Sequence, residues 1–420
     1  MKDTTDDSSV VVPNTLALNT EFSPPNEALS KEASPMPVST PVTFPEGGAK
    51  AWGVAIGASL ALFSTLGYVN SFGVYQAYYV DELLSQESPS RISWIGSLQF
   101  YFVFASGAIG GPLFDRYGSK IIFPFAIAYV LSIMLTSICH EYYQFVLAQG
   151  VLSGVANGAV TTPAVAATSQ YFHKKRGAAI GLAIAGSSLG GVVFPLALSR
   201  MLENKGLGFG WTVRIVGFII LGLISIACAL IKERLPSRKT RLFLPRAFTE
   251  RKYNCIIVSG FFLFLGMLTP FFYLPAYAQS RARRLIPGIL SDKFGRFNMY
   301  LVAAVSTAIL LFCWTLCTSQ ASIIAFTVLY GLSSGGIISG NSINLASVTD
   351  DPKNIGTYIG QAVPIISIAS LIGPPINGAF LDTFKGFWEL SIFNGVACIL
   401  GACGVVASKS VTKEGVFSKA

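Results

Sequence analysis

The most constraining feature of the chain is a short charged hinge, Gly111-Pro112-Leu113-Phe114-Asp115-Arg116-Tyr117-Gly118-Ser119-Lys120, set between two long apolar runs. A near-copy stands at Gly288-Ile289-Leu290-Ser291-Asp292-Lys293-Phe294-Gly295-Arg296. Both read Gly, three residues, Asp, a cation, an aromatic, Gly. A second repeat follows each copy. Gly177-Ala178-Ala179-Ile180-Gly181 comes 66 positions after Gly111, and Gly356-Thr357-Tyr358-Ile359-Gly360 comes 68 after Gly288. Two repeats in matching register predict two homologous halves.

The runs around the hinges reach about 20 residues without charge, long enough to cross hydrocarbon as helices. Charged residues make up 12% of the 420, against roughly 25% in soluble domains. Forty-one glycines suit helices that pack closely in lipid. The predicted class is an all-α membrane protein, with the lipid bilayer as its surroundings. The formal charge of +9 comes from basic residues in short loops, where a positive-inside bias places them. This argues against nucleic acid as a partner. Seven cysteines without a CxxC, and only two histidines, give no disulfide framework and no metal site.

Residues 1–45 are rich in Ser, Thr, Pro and acidic side chains. They show no signal-peptide core and read as a disordered cytoplasmic tail. Spans at about 51–80, 92–114, 121–139, 143–167, 177–201 and 211–231 form an N-terminal six-helix bundle, 46–231. Gly150, Gly154 and Gly158 fall on one face of the fourth. Residues 232–252 are a basic, cytoplasmic linker. Spans at about 253–277, 299–317, 321–344, 355–381 and 387–407 form a C-terminal bundle, 253–408, followed by a tail, 409–420.

That second bundle is one span short. Trp52 to Gly111 is 59 positions, whereas Tyr253 to Gly288 is 35. The missing length matches one helix and some loop. Arg281, Arg283 and Arg284 stand where the eighth span belongs, and each would cost about 2.5–3.5 kcal/mol at a bilayer centre. About 11 spans are therefore expected. Parity then conflicts with charge, since one span separates two basic segments that both favour the cytoplasm. Either the seventh span fails to cross, or the second half inserts inverted, or a re-entrant segment forms. The chain reads as an incomplete or mis-spliced version of a twelve-span protein.

Two six-span halves with Gly-x-x-x-Asp-Arg/Lys-x-Gly after each second span resemble the major facilitator superfamily. Glu46-Gly47-Gly48 before Trp52, Tyr171-Phe172-His173-Lys174-Lys175-Arg176-Gly177 through Gly186, and Gly373-Pro374-Pro375-Ile376-Asn377-Gly378 are similar to the monocarboxylate-porter family, in its fungal branch. The resemblance implies a major facilitator fold and a conformational latch formed by Gly111, Asp115, Arg116 and Gly118, with Asp292, Lys293, Gly295 and Arg296 in the second copy. Gly118 supplies a sharp turn, and Asp115 can face a helix N-terminus. It also places Asn70 where proton-coupled porters carry a lysine, and Arg284 where they carry an anion-binding arginine. Ser280 replaces the acid expected before that arginine.

Transporter sites lie near the midplane between the halves, and polar residues inside spans are costly there. Tyr68, Asn70, Tyr75 and Gln76 in the first span are substrate-binding candidates. Asn157 and Thr161 in the fourth, Tyr273 in the seventh, and Asn341 and Asn344 in the tenth complete the set with Arg284. Gly186-x-Ser188-x-Gly190 and Gly331-x-Ser333-x-Gly335 match a nucleophile elbow literally but lie inside membrane helices. No enzyme and no cofactor are implied.

The expected activity is secondary transport of a small organic anion or related metabolite by alternating access, with proton co-transport left open. Alternatives are a carrier of a vitamin or secondary metabolite, a non-transporting sensor, or a defective paralogue. The plasma membrane is the family default. The sequence is silent on oligomeric state.

Overall fold

The structure, a computed structural model, describes residues 47–172, 175–204, 206–234, 244–281, 296–346, 348 and 355–410. They belong to one compact unit, Phe44–Ala420, and every regular element among them is helical. The first crossing is broken. Ala49–Leu62 (α1) passes through a π-turn at Phe63–Gly67, loses helical form at Asn70 and Ser71, and resumes as Phe72–Tyr78 (α2). The break falls among the polar residues that interrupt this run in sequence.

Pro89–Tyr117 (α3) is the second crossing. The Ser88 side chain caps its start by accepting from the Arg91 amide at 3.2 Å. Gly118, with φ of +69°, ends it in a backbone conformation that favours glycine. Ile122–Thr136 (α4) follows. The Tyr142 hydroxyl donates to Arg91 O at 2.9 Å, so the chain after α4 has returned to the start of α3. The two helices are antiparallel crossings. Tyr142–Phe145 (α5) and Ser153–Ser169 (α6) form the fourth crossing through a π-turn, Arg176–Glu203 (α7) the fifth and Gly208–Leu230 (α8) the sixth.

In the second half, Arg251–Met267 (α9) breaks at Leu268 and continues as Thr269–Arg281 (α10). Arg296–Cys313 (α11), Gln320–Ala346 (α12), Ile355–Phe384 (α13) and Trp388–Ser410 (α14) complete it. Nine apolar helical runs among the described residues are long enough to cross a membrane, and one of these, Pro89–Thr136, divides at Gly118. With the shorter run Tyr300–Leu316, the eleven expected spans are present.

Glycine lets these helices touch backbone to backbone. A methyl group added at Gly150 or Gly154 would stand 3.1 Å from Ile95 O or 2.8 Å from Gln99 O, and at Gly158 it would overlap Val103 O. The four-residue glycine face of the fourth span therefore seats α6 along α3, as the sequence spacing predicts. Gly186 and Gly190, half of the false elbow, seat α7 on α1 in the same way, against Ser59 O and Phe63 O.

The direction of each helix follows from its end contacts. At the hinge end, where Gly118 lies, Arg234 N donates to Gln170 Oε1 at 2.8 Å and Tyr253 OH to Tyr358 O at 2.7 Å. At the far end, Tyr277 OH donates to Cys317 O at 2.9 Å, and Ser90 N to Asp382 Oδ2 at 3.4 Å. The α9–α10 crossing and α11 thus both run from hinge end to far end. In the fold, α9–α10 extends the full length between the two ends, and α11 runs parallel to it. Only the 14 residues between Arg281 and Arg296 join the far end to the hinge end.

Candidate functional site

The first hinge is clamped to the end of the sixth crossing. The Ser119 amide donates to Glu233 Oε2 at 2.8 Å, and the Ser119 hydroxyl donates to the same oxygen. Gly118 is required here twice. Its φ is positive, and an added methyl would sit 2.7 Å from the Glu233 carboxyl carbon. The Ser119 hydrogen bonds hold the Glu233 carboxyl below its usual range against partial burial, with Lys120 adding to the effect. Of the expected latch residues, Gly111 approaches Thr162 of its own half, and Arg116 lies over the Tyr117 ring at 5.4 Å. Asp115 is half-buried at the end of α3. Asp292, Lys293 and Gly295 lie outside the described residues, as does the Arg296 side chain. Glu233 was not anticipated, because nothing in the sequence links a linker carboxylate to a hinge so far upstream.

The two halves meet along α3 and α13. Ser90 lies beside Gly378, and Ala108 beside Gly360 at 3.8 Å. The seam is antiparallel, and at 1.5 Å per residue it covers about 27 Å, nearly the whole hydrocarbon thickness. Near its far end an aromatic plug closes the space between halves. Phe272 of α10 packs on Phe72 of α2 at 5.1 Å and on Phe100 of α3 at 5.5 Å, all three buried. Gly96 makes room, since a methyl there would meet Phe72 and lie 2.7 Å from Phe272.

Tyr273 stands beside this plug. Its hydroxyl donates to Pro374 O at 2.8 Å and lies close to the side chains of Ser93 and Gln76. Two expected site residues, Gln76 and Tyr273, are thereby brought together from opposite halves. The others stay within their own half. Tyr68 and Tyr75 share a hydroxyl–hydroxyl bond of 2.8 Å. Thr161 bonds Asn157 Oδ1 at 3.0 Å and Thr65 Oγ1 at 3.1 Å, and Tyr129 of α4 adds a bond to Ser64 O at 3.0 Å. Asn70, at the break in the first crossing, faces Gly191 of α7. In the second half Tyr300 OH donates to Asn341 Oδ1 at 3.4 Å. Asn344 is buried one turn on. Arg284 lies outside the described residues.

The second half holds a buried network that sequence reasoning missed. Thr269, at the break between α9 and α10, donates to Asn394 Oδ1 at 2.7 Å, and Asn394 Nδ2 donates to Asn377 Oδ1 at 2.6 Å. Asn377 Nδ2 returns to Thr269 Oγ1 at 2.9 Å. In this closed circuit beside the break the three side chains satisfy one another. Single polar residues in three separate helices carry no sequence signal that they meet.

The chain matches the Major Facilitator Superfamily over residues 53–283 and 284–416, and it belongs to that superfamily. It is 48% identical over 391 residues to the Aspyridones efflux protein apdF of Emericella nidulans, covering 89% of this chain and 80% of that one. It is 38% identical to the MFS-type transporter pynF of Aspergillus niger, covering 92% and 96%. It is 35% identical to the Agnestins efflux protein AgnL12 of Paecilomyces divaricatus, covering 87% and 89%. These fungal transporters do not support the monocarboxylate-porter assignment expected from the motifs. The pynF match runs over 421 positions while covering 92% of a 420-residue chain. That relative therefore carries positions with no counterpart here.

Proposed function

We propose that this protein is a multi-pass efflux carrier that exports a fungal secondary metabolite by alternating access. The observation that carries the reading is the 48% identity to the Aspyridones efflux protein, extending over 89% of the chain. The long α3–α13 seam supports it, because two halves that meet along a straight antiparallel pair can rock about that line. The hinge end is the cytoplasmic end in this reading, as the basic residues around Glu233 favour, and the membrane is the plasma membrane. The N-terminus then lies inside. The aromatic plug of Phe72, Phe100 and Phe272 closes the outer side, and the clamp at Ser119 and Glu233 holds the inner ends of the first half together. The substrate-binding candidates stand as proposed above, with the pair Gln76 and Tyr273 the best supported. Proton coupling stays an option of this reading.

The test is gene disruption in the source fungus, followed by comparison of metabolites in medium and mycelium. Retention of one metabolite family in the disruptant is the expected result. Unchanged export of every metabolite would sink the proposal.

A second reading is that the chain is a defective or mis-spliced form. It rests on the two parallel crossings, α9–α10 and α11, joined by only 14 residues. Expression of this chain in the disruptant, beside a version with one apolar helix restored between Arg281 and Arg296, separates the two. Export by the restored form alone establishes the second reading.

A further inference from the structure

The first turn of α3 contains one backbone donor that its own half does not satisfy. Amides at a helix start have no partner within the helix and find one elsewhere. Pro89 has no N–H. The Arg91 amide donates to Ser88 Oγ at 3.2 Å, and the Ile92 amide to Ser88 O at 3.0 Å. The Ser90 amide instead donates to Asp382 Oδ2 of α13 at 3.4 Å, across the seam. The Ser90 hydroxyl donates to Pro375 O at 2.9 Å, also in α13. Both polar groups of Ser90 are therefore bound by the other half. The backbones are close as well, since a methyl added at Gly378 would stand 2.6 Å from Ser90 Cα.

Asp382 suits this place by charge as well as by position. It is a carboxylate at the N-terminal, positive end of a 29-residue helix, where an anion is stabilised. The arrangement mirrors the inner hinge. Asp115 lies 26 positions after the start of α3, and Asp382 lies 27 after the start of α13. In an antiparallel seam each carboxylate thus stands near the level at which the other helix begins. The hinge motif marks Asp115 in the sequence, and no motif marks Asp382. Gly96, which seats the aromatic plug, comes six residues deeper along α3 than Ser90. The Ser90 contacts therefore lie outside the plug, and parting α3 from α13 at the far end replaces both of them by water.

Resting on the alternating-access reading, in which the far end faces outward, we propose that Asp382 is the outer latch of the transport cycle. Its carboxylate caps α3 from the opposite half and biases the resting protein toward the outer-closed state. As a positioning residue it acts through α3.

The test is labelling of Ser93→Cys by a membrane-impermeant maleimide on intact cells, read at that position by peptide mass spectrometry. Ser93 is fully buried, and its hydroxyl donates to Ser90 O at 2.8 Å. Adding Asp382→Ala is expected to speed labelling about two- to fivefold, the effect of losing an anion at a helix start. Asp382→Asn keeps an acceptor without the charge, and its rate should fall between the two. Phe272→Ala serves as comparator, because it removes the plug and leaves the Ser90 contacts in place. Faster labelling with Phe272→Ala but not with Asp382→Ala overturns the latch and leaves the export reading standing. No acceleration in either background means that the halves do not part, and both fall. Ala108→Cys, on the seam toward the hinge end beside Gly360, should label no faster in permeabilised cells carrying Asp382→Ala. Equal acceleration there marks general loosening and also overturns the latch. His140→Cys, exposed at the far end, reports the side. Reaction only after permeabilisation overturns the outer assignment.

Discussion

The Ser119 amide donates to a carboxylate oxygen of Glu233 at 2.8 Å, tying the turn after α3 to the chain just past α8. The carboxyl's folded pKa is lowered by these bonds. Its contribution is therefore complete above the unfolded pKa and is lost as pH falls through the folded one. Glu233 is exposed, so Glu233→Gln should cost only about 0.5–1 kcal/mol. Thermal unfolding in detergent is expected to show the wild-type advantage at pH 7 and its disappearance in acid. An advantage that grows in acid would contradict the clamp.

The glycine seams make a sharper prediction. Gly158→Val places side-chain atoms on Val103 O and should cost about 3 kcal/mol or more, as overpacking and helix separation combine. Gly181 has nothing within 4 Å of an added methyl, so Gly181→Ala should be neutral or stabilising by up to about 1 kcal/mol. The midpoint of detergent thermal denaturation reads both. Equal behaviour of the two variants would mean that α6 does not lie against α3 as described.

The aromatic plug predicts an accessibility change. Phe272→Ala removes the ring that touches both Phe72 and Phe100. In that background a cysteine introduced by Ser93→Cys should react with a membrane-impermeant maleimide added outside intact cells. In the wild-type background it should react at least about tenfold more slowly, because Ser93 is fully buried. Fast labelling in both backgrounds would rule out a closed outer side.

Tyr273 should couple the halves measurably. Tyr273→Phe removes one hydrogen bond to Pro374 O, worth about 1 kcal/mol. Gln76→Leu removes the partner across the seam. If the two act through one contact, the double variant will cost less than the sum of the singles. Strict additivity in denaturation midpoints would separate them.

Much of this architecture was legible in the sequence because lipid constrains it so strongly. Charge-free runs gave the spans, and the Gly150–Gly154–Gly158 spacing gave a packing face without any knowledge of its partner. The repeated hinge showed that one helix was lacking. The far-end contact of Tyr277 with Cys317 then showed that α10 and α11 run the same way. Charge rules alone left inversion open, because they count loops and not helix directions. The site was less legible. Asn341 and Asn157 look equivalent as polar residues inside spans, yet Asn341 Oδ1 accepts from Tyr300 of a neighbouring helix while Asn157 Oδ1 accepts from Thr161 of its own. Which partner an amide finds depends on distant neighbours, as Asn377 shows by donating to Thr269, 108 positions upstream.

The sequence by itself determined a polytopic helical protein with two related halves and a deficit of one span, because hydrocarbon tolerates only helices of a set length and few charges. Only the tertiary structure decided which helices form the seam, that Glu233 clamps the first hinge, and that Thr269, Asn377 and Asn394 close a buried circuit. Those features depend on which side chains converge from distant segments, and no local pattern encodes that convergence.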